Sequence, residues 1–317
     1  MVFLRVSVIV PARNEERAIE RCIASILAQE FYGELELVVA DGSSWDATAE
    51  RARAAGARVV PNPDGTTPAG LNKALEAATG EIVVRFDAHA EMPAGYIASC
   101  LTALAQEAGA VNVGGWRQVE ATGPWGRATG AALASKLGVG NPRMWRRPAP
   151  GEGRRDVDTV PLGCWPAHAL REIGGWDERF IRNQDFELNH RLRRSSGRVV
   201  FDPEIWSIYH PRESLRTLAR QYWEYGQFKA RLLKREPTSV RPRQLAPVGL
   251  AAVAVFAVVP TGLASPARVA LGVYGVSLVS VGLRSKTGWR TAPVIATMHA
   301  SWFAGLVAGM FTGQGRD

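Results

Sequence analysis

Residues 81–91 read EIVVRFDAHAE. The apolar run from Ile82 to Phe86 predicts a buried strand, which delivers Asp87 and His89 to its end. Residues two apart in an extended segment point the same way, so one carboxylate and one imidazole can converge on one divalent cation. The pattern also fits a strand that ends in a turn-forming aspartate followed by a surface histidine. The rest of the sequence favours the first interpretation.

Three strand and helix units precede this stretch. Residues 5–10 (RVSVIV), 35–40 (LELVVA) and 58–60 (RVV) are apolar runs, and each is followed by a polar turn and a segment of helical pattern. The helix after the first run places apolar residues on one face, namely Ile19, Cys22, Ile23, Ile26 and Leu27. Alternating strands and helices predict an α/β domain on a mostly parallel sheet.

Asp41 directly follows the second strand. Open α/β sheets bind ligands at the carboxyl ends of their strands, so Asp41 is a candidate for holding a nucleobase or a ribose. Asp46 precedes an Ala- and Arg-rich helix, and capping of that helix is its favoured role. After the third strand, residues 62–65 (NPDG) predict a turn, and the next helix ends at Gly80.

Four segments at these strand ends and helix starts read PARNEE (11–16), ADGSSWD (40–46), PAGLNKAL (68–75) and FDAH (86–89). Together they make residues 5–235 resemble the glycosyltransferases of family 2, which have the GT-A fold. The resemblance implies a nucleoside diphosphate sugar as donor, with UDP-glucose favoured, and Mn²⁺ or Mg²⁺ held by Asp87 and His89. The residues it assigns to nucleotide-sugar binding are Pro11, Ala12, Arg13, Glu15, Asp41, Lys73 and Asp87.

A later group of motifs follows a Gly-Gly pair at 174–175, which predicts the end of a helix that begins at Ala167. Asp185 comes next, in the first turn of another helix, where the helix dipole alone can stabilise a carboxylate. In the family that the chain resembles, an acidic pair at this position supplies the catalytic base. The resemblance therefore implies that Asp185, in the pair Gln184-Asp185, is the base.

A narrower likeness is to succinoglycan-type glucosyltransferases, which extend lipid-linked saccharides. It is carried by SKLGVGN (135–141), GGWDERF (174–180), RNQDFELNHRLR (182–193) and LARQYWEYGQFK (218–229). Two departures from the wider family stand out. The metal motif is D-A-H rather than D-x-D, and residues 221–225 lack the arginine of the Q-x-x-R-W motif of processive synthases, which argues for single sugar addition. His210 is either a further metal ligand, as the resemblance implies, or a structural residue.

The chain has 317 residues, a formal net charge of +8 and three cysteines. This length accommodates one buried α/β domain and an appendage. The cysteines are scattered without C-x-x-C spacing, which argues against a disulfide framework or a zinc site and favours a reducing compartment. The apolar residues 3–10 are too few for a signal sequence and are interrupted by Arg5, so we expect the catalytic part in the cytoplasm.

The positive charge is concentrated just before the most apolar part of the chain, among aromatic and leucine side chains. This placement argues against a nucleic-acid partner and predicts a helix on the membrane surface that meets anionic headgroups. An ordinary amphipathic helix packed on the catalytic domain is the alternative, and both can hold. The basic residues are Arg212, Arg216, Arg220, Lys229, Arg231, Lys234, Arg235, Arg241 and Arg243.

Three nearly uncharged apolar stretches follow, and about 20 residues suffice to cross a bilayer. They are residues 245–264, 267–283 and 292–311, of which the second is marginal in length. By the positive-inside rule, the basic linker at 284–291 and the segment before residue 244 lie in the cytoplasm, so the first two helices form a hairpin and the third exits. Gly305 and Gly309, four residues apart, can let helices pack closely.

The sequence therefore predicts a GT-A catalytic domain (1–210), an interfacial helical segment (211–243) and a membrane anchor of two or three spans (244–312). The expected reaction moves a hexose, with inversion, to a hydroxyl of a lipid-linked or membrane-associated saccharide in cell-surface polysaccharide assembly, at the inner or plasma membrane. Transfer to polyprenyl phosphate is an alternative. A sugar nucleotidyltransferase would show a Gly-rich phosphate loop, which residues 11–16 do not resemble, and a non-catalytic scaffold would not need Asp41, Asp87 and Asp185 together.

Overall fold

The computed structural model describes residues 3–140, 143–181, 183–235, 237, 244, 246–259 and 262–311. The chain forms two compact units. The first contains the residues up to Gln118 and Arg147–Tyr209, and the second contains Val119–Arg146 and the residues from His210 onward. Residues 119–146 thus pack with the C-terminal part of the chain. The predicted boundaries at 210 and 243 stay predictions.

The first unit is built on an eight-stranded sheet in the described part of the chain. Its strands are β1 (Leu4–Ala12), β2 (Gly33–Asp41), β3 (Arg58–Pro61), β4 (Ile82–Arg85), β5 (Ala110–Val119), β6 (Arg155–Asp156), β7 (Cys164–Pro166) and β8 (Arg198–Tyr209), in the order β3-β2-β1-β4-β7-β5-β8-β6. β1 pairs in parallel with β2 and β4, and β2 with β3. β7 runs antiparallel to β4 and β5, and β6 to β8, so the sheet is mixed. The predicted βα units form its parallel part.

Helices connect these strands and make up most of the second unit. Those of the first unit are α1 (Ile19–Leu27), α2 (Thr48–Ala54), α3 (Thr67–Ala77), α4 (Tyr96–Gln106), α7 (Ala167–Glu172) and α8 (Gln184–Arg194). Those of the second unit are α5 (Pro124–Leu133), α6 (Lys136–Val139), α9 (Leu215–Arg235), α10 (Ala246–Val258), α11 (Ala264–Arg284) and α12 (Thr291–Phe311).

Alternate residues of β1 enter two different cores. Val8 is buried on one face of the sheet with Ile23 of α1, whereas Ile9 is buried on the other face with Leu71 of α3 and Leu188 of α8. A strand that is buried on both faces has no solvent-exposed side, which is why its sequence is a continuous apolar run. Each such side chain contributes about 1.5–3 kcal/mol when fully buried.

The Gly-Gly pair ends α7 as predicted. Gly174 has a φ of 78° and Gly175 a φ of 66°, a left-handed conformation that side chains rarely adopt. Their backbone N–H groups donate to the carbonyl oxygens of Arg171 (3.1 Å) and Leu170 (2.9 Å), which completes a Schellman motif. The chain then turns back to the sheet and begins α8, so the predicted place of Asp185 in a first helical turn is confirmed.

In the second unit, α9 and α12 approach closely because glycines line their contact. A Cβ atom on Gly226 would lie 2.1 Å from the carbonyl oxygen of Trp302, and one on Gly305 would lie 2.1 Å from that of Trp223. Gly309 faces α9 in the same way. The prediction that Gly305 and Gly309 allow close helix packing is confirmed, and their partner is the basic amphipathic helix.

Lys229 departs from the predicted outward basic face of that helix. It is only 3% exposed, among the buried residues of α9. Lys234 instead uses its ammonium group to donate to the carbonyl oxygen of Gly309, at 3.0 Å. Arg241 and Arg243, from the same predicted segment, lie outside the described residues. One side of α9 thus packs against α12, and further basic residues lie in the last turn of α9.

Two segments in the described part of the chain are long and apolar enough to cross a membrane, Ala264–Arg284 with 21 residues and Gly288–Phe311 with 24. The middle apolar stretch was expected to be marginal, but its helix continues at both ends and reaches full length. α10 has only 13 residues, while residues 245, 260 and 261 of the first stretch lie outside the described residues. Arg268, near the start of α11, donates to the carbonyl oxygen of Ala257 at 3.0 Å and so satisfies the end of α10.

Candidate active site

The end of β4 carries charged residues on the face of the sheet that α8 covers. Val83 and Leu188 of α8 share one buried cluster. Because side chains alternate along a strand, Arg85 follows Val83 on the same side, and the chain after β4 brings the carboxylate of Asp87 to the Arg85 guanidinium. The first turn of α8 lies on that side too, and Asp185 therefore meets the strand end, 100 residues from Arg85 in sequence.

Arg85 joins the two aspartates. Its Nη2 lies 3.1 Å from Oδ1 of Asp87, its Nη1 contacts Oδ1 of Asp185, and the residue is only 5% exposed. Burial would raise the pKa of Asp87, but the positive charges of Arg85, Arg117 and His89 together outweigh it and hold that pKa below its usual value. Burial raises the pKa of Asp185 despite the same guanidinium, and the nearby Asp87 adds to the rise. One carboxylate is thus held ionised, whereas the other binds a proton more readily.

Asp87 and His89 lie in a turn, not in an extended strand. The N–H of Ala90 donates to the carbonyl oxygen of Asp87 at 3.0 Å, which closes a β-turn over residues 87–90. The prediction that Asp87 and His89 project the same way from an extended segment was therefore wrong, because β4 ends at Arg85, but both residues still line one cavity. The Nδ1 atom of His89 lies 3.3 Å from Oε1 of Glu15. This hydrogen bond raises the pKa of His89 above its usual value.

The cavity at this edge of the sheet has a volume of about 310 Å³. Six of its lining residues were assigned to donor or metal binding from the sequence, namely Pro11, Ala12, Arg13, Glu15, Asp87 and His89. Seven others were given no role there, namely Asn62, Gly65, Thr66, Thr67, Arg85, Ala88 and Gln184. In the described ranges no three His, Cys, Asp or Glu residues are placed to hold a metal ion by themselves.

The turn after β1 is fastened to the loop after β2. Asn14 adopts a positive φ of 57°, and its backbone N–H donates to Oγ of Ser44 at 2.9 Å. The N–H of Glu15 donates to Oγ1 of Thr48 at 2.7 Å. The Arg13 side chain reaches the other way, with Nη1 3.3 Å from the carbonyl oxygen of Gly65. These bonds fix the wall of the cavity that carries Arg13 and Glu15.

Two buried oxygen atoms near this wall have no hydrogen-bond partner within the residues that the structure describes. They are Oδ1 of Asp41 and Oδ1 of Asn62. The other atoms of both groups are used, since Asp41 Oδ2 accepts from the N–H of Ser44 at 3.2 Å and Asn62 Nδ2 donates to the carbonyl oxygen of Thr66 at 2.9 Å. A buried acceptor without a partner costs about 1–3 kcal/mol. Both oxygens can therefore gain from a ligand that donates hydrogen bonds.

Lys73 and His210, both predicted site residues, are not among the residues that line the cavity. Lys73 points from α3 to Glu76, with Nζ 3.2 Å from Oε2 of that residue and both side chains exposed, and it is not part of the cavity lining. His210 belongs to the second unit, and its Nδ1 lies 3.2 Å from the carbonyl oxygen of Glu120. Their assigned roles stay predictions.

Arg85 is the charged residue of the cavity lining that sequence reasoning left without a role. A signal was present, because a charged residue inside the apolar run IVVRF is unexpected in a strand that is buried on both faces. Asp87, only two residues further on, was also a nearby carboxylate with which it could pair. What the run could not indicate was the second partner, which comes from α8.

Comparisons with known proteins identify the family and the fold. The family model described as "Glycosyl transferase family 2" matches residues 7–172. The curated "Succinoglycan biosynthesis protein ExoA" of Rhizobium meliloti is 29% identical to this chain, in an alignment that covers 94% of this chain and 92% of the relative.

Two solved structures are similar in fold. The mannosyltransferase PcManGT from Pyrobaculum calidifontis, in complex with GDP-Man and Mn²⁺, is 22% identical with a TM-score of 0.65, and the match covers 98% of this chain and 88% of that one. Glucosyl-3-phosphoglycerate synthase from Mycobacterium tuberculosis, in complex with Mn²⁺, UDP and its glucosylated product, is 23% identical with a TM-score of 0.50, covering 73% and 80%. These likenesses confirm the predicted GT-A fold.

Proposed function

Because the chain belongs to glycosyl transferase family 2 and is therefore a glycosyltransferase, we propose that it moves glucose from UDP-glucose to a hydroxyl of a membrane-associated, lipid-linked saccharide. One observation carries the proposal. Arg85 contacts both Asp87 and Asp185, so a carboxylate suited to a metal-bound diphosphate lies beside one suited to an acceptor proton. The similarity to a succinoglycan biosynthesis protein supports a role in cell-surface polysaccharide assembly.

The donor would occupy the cavity at the end of β1 and β4. The free oxygens of Asp41 and Asn62 are acceptors, so they suit the N–H group of a uracil ring. Arg13 is a cation of the cavity wall that would meet the diphosphate, and Pro11 and Ala12 line the same cavity. The complexes of the two structural relatives with GDP-Man and with UDP support a nucleoside diphosphate ligand.

Asp87 and His89 would hold Mn²⁺ or Mg²⁺. The donor set fits, since an ionised carboxylate and an imidazole line one cavity, and such ions commonly take one or two protein ligands and complete their shell with phosphate oxygens and water. Glu15 contacts the imidazole and so orients it. A bound ion supplies positive charge that stabilises the leaving diphosphate. His210 as a further ligand belongs to the same proposal.

Asp185 would accept the proton of the acceptor hydroxyl, and a single displacement then inverts the anomeric carbon. Its burial favours this role, because the raised pKa makes its ionised form a stronger base than an ordinary aspartate. A positioned general base contributes about 10²–10⁴-fold to the rate.

The exposed apolar surface of the second unit supports attachment to the inner or plasma membrane, with the first unit on the cytoplasmic side. α11 presents a row of exposed large side chains along its length, Val269, Val273, Val276, Val279 and Leu283, all 58% or more exposed. Exposing so large an apolar surface to water is unfavourable in free energy, whereas the hydrocarbon core of a bilayer would bury it. An acceptor carried by a lipid would then meet the enzyme at the same surface.

The proposal is tested with the full-length chain in native membranes, incubated with a panel of labelled nucleotide sugars and then extracted for labelled lipid. We expect label from UDP-glucose in lipid-linked saccharide. Asp185→Asn should retain donor affinity and lose kcat, since the amide cannot take a proton. Glu172→Gln, at an exposed carboxylate of α7, is the matched control and should behave as wild type. Label in polyprenyl phosphate sugar, or transfer from another nucleotide sugar only, would contradict the proposed acceptor or donor.

A further inference from the structure

Arg85 is the one charged residue of β4, and it is buried beneath the proposed reaction site. Taking a guanidinium out of water is costly unless carboxylates compensate it, and here two of them do so from different directions. The planar group presents one nitrogen to Asp87 and the other to Asp185. A rigid, planar guanidinium of this kind sets the distance between the two carboxylates and also compensates their negative charge.

The spacing between Asp87 and Asp185 affects both metal binding and proton transfer. Two carboxylates that face one point are the ligand set that Mn²⁺ and Mg²⁺ bind best, and nothing in their own chemistry assigns one to the metal and the other to the acceptor. Without a cation between them, Asp185 could turn to share a metal with Asp87. A carboxylate bound to a metal is a poor base, because its lone pairs are already engaged.

We infer that Arg85 is a positioning residue that keeps Asp185 off the metal and directed to the acceptor hydroxyl. This inference rests on the proposed function, since it takes Asp87 as metal ligand and Asp185 as base. Arg85 does not touch the reacting atoms. It acts through the two aspartates, and it can do so at any working pH because arginine stays protonated.

The first measurement is Mn²⁺ binding without donor, from the electron paramagnetic resonance signal of free Mn²⁺, on the full-length protein in detergent. Arg85→Gln should bind Mn²⁺ about tenfold more tightly than wild type, since a repelling charge is gone and a second carboxylate becomes available. In the double variant Arg85→Gln with Asp185→Asn, most of this gain should disappear. If the double variant keeps the whole gain, removal of charge alone explains it and the inference is overturned.

The second measurement is transfer. Arg85→Gln should lower kcat by about 10²-fold, as expected for a displaced base, with the KM for the donor within a few fold of wild type. Arg85→Lys keeps the charge but offers a single point donor, so it should retain wild-type Mn²⁺ affinity and recover part of kcat. Arg5→Gln, at an exposed arginine of β1 paired with Glu34, is the control for loss of a guanidinium. Wild-type kcat in Arg85→Gln would overturn the positioning role.

The two arms separate the inference from the proposed function. Thermal melting will show whether Arg85→Gln unfolds. If it does, Arg85→Lys alone tests the inference, because a lower kcat at unchanged Mn²⁺ affinity still requires a positioning role for Arg85. If wild type transfers no sugar to any acceptor, the proposed function fails, while the Mn²⁺ measurements on the single and double variants still report whether Arg85 keeps Asp185 off the metal.

Discussion

Gly226 offers a sharp test of the packing between α9 and α12. Alanine normally stabilises a helix by about 0.5–1 kcal/mol relative to glycine. At position 226 the added Cβ would lie 2.1 Å from the carbonyl oxygen of Trp302 and 2.6 Å from the backbone N of Leu306. Both are backbone atoms, so no side chain can turn away, and the helices must separate by more than an ångström to restore normal contact. Overpacking of this kind costs about 1–3 kcal/mol.

The expected result is a change of sign between two chemically identical substitutions. Gly226→Ala should lower the free energy of unfolding of the full-length protein in detergent by about 1–3 kcal/mol. Gly272→Ala, in α11 where no heavy atom lies within 4 Å of the added Cβ, should leave it unchanged or raise it slightly. Denaturant titration followed by Trp fluorescence measures both. A Gly226→Ala protein as stable as Gly272→Ala would show that α9 and α12 do not pack through these glycines.

Three further predictions concern the metal, pH and the membrane. Asp87→Asn should weaken Mn²⁺ binding and cut transfer by orders of magnitude without unfolding the chain; unchanged metal-dependent turnover would remove Asp87 from the site. Burial alone would raise the pKa of Glu36, but hydrogen bonds from Ser7 and Thr79 hold it below its usual value. Ionised Glu36 therefore stabilises the folded state at pH values above its pKa in the unfolded chain. This stabilisation is lost as the pH falls through the lower pKa of the folded state. Glu36→Gln should therefore cost about 1–3 kcal/mol at pH 7 and less below pH 4, and a gap that does not change with pH would contradict this. High salt should fail to extract the full-length chain from membranes, whereas detergent should succeed, and release by salt alone would refute the spans.

The sequence predicted the first four strands and the first helices well, because the signals involved are local, whereas β5 to β8 were not predicted. Runs such as RVSVIV and the apolar face at Ile19, Cys22 and Ile23 are set by neighbouring residues, and their apolar side chains are buried as expected, whereas Leu27, predicted on the same face, is 47% exposed. Asp185 in the first turn of α8 followed in the same way from the Gly-Gly stop before it. Lys73 shows the limit of this reasoning, since a motif match gives a helix but not the direction in which its side chain points.

Contacts between distant segments were beyond the sequence. The Gly305 and Gly309 spacing indicated that a helix would approach closely, but only the structure identifies α9 as that helix. The pairing of Arg85 with Asp185 spans 100 residues, and it depends on α8 lying on one particular face of the sheet. Such a contact cannot be predicted from a single sequence unless both residues are of a type that is unexpected at their positions.

The position of Arg85 also explains why the charged residues of this site fall where they do. β4 must be apolar at Val83 and Val84 to sit inside the sheet, and it can become polar only where the sheet ends and α8 begins. A guanidinium at that border pairs its two terminal nitrogens with carboxylates, which makes the transition from core to cavity possible without a buried unpaired charge, although its Nε has no hydrogen-bond partner among the described residues. The packing that closes the core on this face therefore also sets the distance between the two aspartates, so core substitutions near Leu188 should disturb transfer before they disturb donor binding.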